Sequence, residues 1–127
     1  MRARCQLIMT GLTCTALLVG TGQVHAQSES RFVRLKGAEI RRTLIGKSLS
    51  DEVHWSFHYN ANGTVTGMSM GQKVESRWRL AGDELCEIER SQPEACYEVW
   101  TRKSEVQLRP RGAGLPIGGT LHRWLLI

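Results

Sequence analysis

The sequence predicts a mainly β fold, an antiparallel meander of about seven strands closed as a small barrel or curled as an open sheet, with one short N-terminal helix ahead of it. Three observations carry that expectation. Apolar and polar residues alternate in successive runs from residue 53 onward. Turn formers such as Asn62-Gly63, Gly82-Asp83 and Pro93 separate the runs at short intervals. A pair of cysteines, Cys86 and Cys96, falls where two neighbouring strands would set them side by side.

The first 26 residues stand apart from the rest. Arg2 and Arg4 precede an apolar run over residues 7–20, and Val24-His25-Ala26 offers small or tolerable residues to a signal peptidase. The run is short for a membrane span, which needs about 20 apolar residues. Residues 1–26 therefore read as a signal peptide, residues 27–34 as a polar, flexible leader, and residues 35–127 as a single β domain. Cleavage would remove two of the 17 Lys and Arg and none of the 12 acids, leaving 15 bases against 12 acids and a formal charge of +3. Such a mild charge, scattered among glutamates, argues against nucleic acid as a partner. No stable membrane insertion is expected after signal cleavage, and the place of action is periplasmic or secreted.

The elements follow in order. In residues 36–46, Ile40 and Leu44 lie four apart and Gly46 ends the pattern, which predicts a short amphipathic helix. Val53, Trp55, Phe57 and Tyr59 then alternate with His54, Ser56 and His58 as on a half-buried strand. Asn60-Ala61-Asn62-Gly63 turns the chain, with Gly63 suited to the left-handed position. Further strands are expected over residues 64–70, 73–80, 84–90, 95–102 and 105–111. Residues 112–119 form a glycine-rich connection, and residues 120–127 a terminal strand.

Cys5 and Cys14 leave with the signal, so Cys86 and Cys96 form an even pair in a chain sent to an oxidising compartment, and a disulfide is the default inference. Closing a loop of this length contributes on the order of 2–3 kcal/mol in the chain-entropy model.

Candidate chemistry is sparse. His54 and His58 on one strand stand about 13 Å apart, too far for one ion, but the hairpin register brings Met68 opposite Ser56 and Met70 opposite His54. Imidazole and thioether on one face could suit copper. Tryptophans at 55, 78, 100 and 124 fit a core better than a ligand platform, though an exposed ring such as Trp55 or Trp100 could bind a ligand. Glu84, Glu87, Glu89, Glu94 and Glu98 flank the cysteines and read best as a solvated sheet face with Arg77, Arg79, Arg90 and Arg102 as cross-strand partners. There is no nucleophile elbow, phosphate loop or haem motif, so neither a catalytic residue nor a cofactor is expected.

Taken together, Gly37-Ala38-Glu39-Ile40-Arg41, Tyr59 with Asn62-Gly63-Thr64 and Gly67, Trp78-Arg79-Leu80 with Gly82-Asp83-Glu84-Leu85-Cys86, and Cys96-Tyr97-Glu98-Val99 resemble a family of small exported β-rich proteins of Gram-negative bacteria, without an assigned activity. The resemblance covers most of residues 35–101. It implies a periplasmic β domain with a two-cysteine hairpin and brings no catalytic residues. The leading functional expectation is a non-enzymatic binding module for an unknown protein, peptide or small ligand. It would act through one sheet face or through the glycine-rich end, where Leu115, Pro116 and Ile117 lie. The alternatives are an inhibitor of a lysozyme or secreted protease, using the same loop, and a copper-handling protein using His54, His58, Met68 and Met70.

Overall fold

The computed structural model describes residues 31–123. The signal-peptide reading of residues 1–26, the start of the leader, Trp124 and the end of the last expected strand lie outside the described residues.

Nine strands and one helix follow in the order β1 (Val33–Arg34), α1 (Gly37–Leu44), β2 (Lys47–Ser50), β3 (Trp55–Tyr59), β4 (Thr64–Ser69), β5 (Gln72–Ala81), β6 (Glu84–Ile88), β7 (Ala95–Arg102), β8 (Glu105–Pro110) and β9 (Ile117–Arg123). From β2 to β9 each strand pairs antiparallel with the next, and β2 pairs with β9. The meander is therefore a closed, eight-stranded up-and-down barrel, and closure leaves no sheet edge among these eight. β1 is the extra strand. It lies along the far half of β7, with Val33 opposite Thr101 and Arg34 opposite Trp100.

The barrel and disulfide hairpin match the sequence expectation, and two strands exceed it. β2 carries a single core residue, Leu49, between two serines, so alternation gives it no signal; its place is set by Leu49 meeting Phe57 on one side and Leu121 on the other. β1 lies within the stretch expected as flexible leader, and only cross-strand pairing to β7 reveals it. β3 starts later than expected, because the Asp51 carboxylate accepts the backbone N–H groups of Val53, His54 and Trp55 at 3.0, 2.7 and 2.9 Å. That local cap competes with the sheet ladder and turns Val53 outward. β9 in turn begins inside the expected glycine-rich connection.

The inner faces contribute Leu49, Tyr59, Val65, Trp78, Leu85, Val99, Val106 and Leu108 to one core. The helix seals one end with Ile40 and Leu44, both fully buried. It sits against the β5–β6 turn, where the Gly37 N–H donates to Asp83 Oδ1 at 2.9 Å. A Cβ at Gly37 would come within 2.5 Å of the Gly82 carbonyl oxygen, so glycine is required for that approach. Gly46, at φ 81°, ends the helical turn and passes its N–H to the Tyr59 carbonyl. Cys86 and Cys96 stand opposite one another on β6 and β7 and are bonded.

Candidate functional site

In an up-and-down barrel, alternate loops share an end. Here α1 occupies one end with the turns at residues 60–63, 82–83 and 103–104. The opposite end, left uncovered among the described residues, carries the loops at residues 51–54, 70–71, 89–94 and 111–116. Seven large apolar side chains are exposed among the described residues. Six of them, Val53, Met68, Met70, Ile88, Leu115 and Ile117, lie on these loops or on the strand ends that feed them, and only Val33 does not. The most exposed are Leu115 at 87%, Val53 at 79% and Met70 at 73%, one on each of three loops adjacent around the rim. Scattered apolar residues need no explanation, but a concentration at one end does.

The loops hold these tips in defined positions. The Met70 N–H donates to the His54 carbonyl at 2.8 Å, which ties the 70–71 turn to the 51–54 loop. Glu52 and Met70 both take positive φ, 68° and 50°, an uncommon conformation for residues with side chains. Desolvation alone would raise the Asp51 carboxyl. Instead the N–H groups of Trp55, His54 and Val53 and the His54 ring hold it well below the usual carboxylate range.

The structure places the other sequence candidates apart from this rim or occupies them. Trp55 is half-buried, stacks on Phe57 at 5.0 Å and lies against Gly119, so it is part of the barrel wall. Trp100 lies on the outer face with the Arg109 guanidinium 4.1 Å from its ring, and its indole N–H donates to Glu98 at 2.9 Å. The hairpin register is as expected, Ser56 opposite Met68 and Met70 bonded to His54. Yet the Nδ1 of His54 is directed to Asp51 Oδ2 at 2.8 Å, and that of His58 to the Ser48 hydroxyl. Burial lowers the pKa of His58. Ser48 is only 6% exposed, so the Ser48–His58 pair is hydrogen-bonded like a nucleophile and base but offers a substrate no access.

Compared with known proteins, the chain matches no family model, no curated sequence and no solved structure.

One residue that the sequence reading placed on the solvated face points inward. Glu87 shares the inner face with Leu85, and the Tyr59 hydroxyl donates to its Oε1 at 2.6 Å. Burial raises the pKa of Glu87, the Tyr59 hydrogen bond opposes the rise, and the charge of Glu89 adds to it. Burial, together with Glu87, raises Tyr59 well above its ordinary value, and Tyr97 is raised by burial and by Glu87 and Glu89. The parity was present in the sequence: Leu85 and Glu87 share one face, as Cys86 and Ile88 share the other. Glu84, Glu94 and Glu98 do lie on the outside, paired with Arg111, Arg79 and Arg34.

Among the described residues, Cys86, Glu94 and Cys96 are the only three His, Cys, Asp or Glu side chains close enough to share an ion, and both sulfurs are spent in the disulfide. No helix among the described residues is long and apolar enough to cross a membrane.

Proposed function

We propose that this chain is an exported, non-enzymatic binding module that engages a partner protein or peptide through the uncovered end of its barrel. The observation that carries the reading is the gathering of Val53, Met70 and Leu115 on three adjacent loops at that end, while the opposite end is sealed by α1. Apolar tips on separate loops held by a rigid barrel match the way binding surfaces are displayed on β scaffolds. Export to the periplasm is supported by the Cys86–Cys96 disulfide, which persists in oxidising compartments, and by the N-terminal charge and apolar run. Kinship with the exported Gram-negative family is part of the same proposal.

The test compares the exported wild-type protein with a Val53→Ser/Met70→Asn/Leu115→Ser variant as bait for periplasmic extract. Wild type should enrich one protein in stoichiometric amount, and the variant, melting no lower than wild type, should lose it. Equal capture by both would remove the rim from consideration.

A second reading is favoured by one feature. Leu115 and Pro116 are both exposed on the loop between β8 and β9, where a segment entering a hydrolase cleft would have to lie. On that reading the captured partner is a lysozyme or secreted protease, and Leu115→Asp alone abolishes its inhibition.

A further inference from the structure

A cavity of about 280 Å³ lies under the β6–β7 loop at the uncovered end, lined by Glu87, Ala95 and Tyr97 from the strands and by Glu89, Gln92 and Pro93 from the loop. We propose that this cavity is a binding site for an alkylammonium group. The inference goes beyond the rim reading and depends on it only for the end of the barrel involved.

The argument starts from charge. On β6, β7 and the loop between them, Glu84, Glu94 and Glu98 each have an arginine of their own. Glu87 and Glu89 do not: among the described residues no Arg, Lys or His lies within ion-pair distance of either, and the protein donor to the Glu87 side chain is the Tyr59 hydroxyl. A half-buried carboxylate without a countercharge is costly to maintain for stability alone, and the raised pKa of Glu87 expresses that cost. The chemistry of the walls selects the cation. Hard metal ions ask for six or more oxygen ligands, and here two carboxylates are set beside an aromatic ring. An ammonium group donates to the carboxylates in charge-assisted hydrogen bonds, while its methylene stem packs on the Tyr97 ring. The small volume suits such a group rather than a large ligand.

The same group can come from a free amine or from a lysine side chain of the rim's partner. Both are tested by titrating the exported, isotope-labelled protein with n-butylammonium chloride and, separately, with a glycine–lysine–glycine peptide, following the Ala95 and Tyr97 amides by NMR. Saturable shifts are expected, weakened at least about tenfold in Glu87→Gln and to a lesser extent in Glu89→Gln, whose exposed position cannot unfold the barrel. Tighter binding of the peptide supports a protein lysine as the source; tighter binding of butylammonium supports a free amine. Absence of saturable shifts from either probe up to about 10 mM, or equal binding by Glu87→Gln, overturns the proposal. The Val53→Ser/Met70→Asn/Leu115→Ser variant should bind both probes like wild type, so failure of the rim reading and failure of this one are separable.

Discussion

At the scale of single residues, Glu87 is where local chemistry and stability pull against each other. Its folded pKa lies above its unfolded value because burial penalises the charge, so the fold is favoured below the ordinary glutamate range and loses stability as pH rises through the raised folded pKa. Glu87→Gln keeps the shape and still accepts the Tyr59 hydroxyl proton, but carries no charge at any pH. The variant should melt above wild type at pH 8, and the difference should vanish as pH falls below about 4.5, measured by thermal circular dichroism across that range. A variant equally destabilised at both pH values would show that the Tyr59 bond to a carboxylate outweighs burial. The facing cysteines were legible because opposite positions on a tight hairpin fix their separation. Glu87 reads by residue type as one more solvated glutamate among arginines, whereas its parity with Leu85 points inward.

At the scale of elements, turns record the same tension. The β4–β5 hairpin closes through Met70 at φ 50° and Gly71 at φ 78°, both left-handed. Two-residue hairpin turns of that kind favour asparagine followed by glycine. Met70 is thus a poor turn residue, and one that is 73% exposed. Met70→Asn should raise stability by about 0.5–1 kcal/mol in urea unfolding, while weakening capture of the rim's partner. A variant that loses stability would mean that the Met70 side chain contributes packing its exposure conceals. Long alternating strands such as β5 and β7 could be read directly from the sequence. β2 and the 51–54 loop could not: two serines hide the first, and Asp51 accepts three backbone N–H groups within the second, which moves the start of β3 to Trp55.

At the scale of the whole molecule, the choice between barrel and open sheet depended on one pairing that no local pattern encodes. β2 and β9, the first and last strands of the meander, meet with Leu49 opposite Leu121 and Ser50 opposite Thr120. Every other pairing in the ring joins neighbours in sequence, so this seam bears the largest loop-closure entropy and forms against the greatest chain separation. Its contribution comes from the fully buried Leu49, which packs in the core shared with α1. Leu49→Ala should cost about 2–5 kcal/mol. The loss should be uneven: amides of β2 and β9 should exchange with solvent fastest, while those of β6 and β7, held by the disulfide and a short loop, keep most of their protection. Hydrogen exchange followed by NMR reads both. Uniform loss across all strands would mean that the barrel opens only as a unit, and that the seam is no weaker than the hairpins it joins.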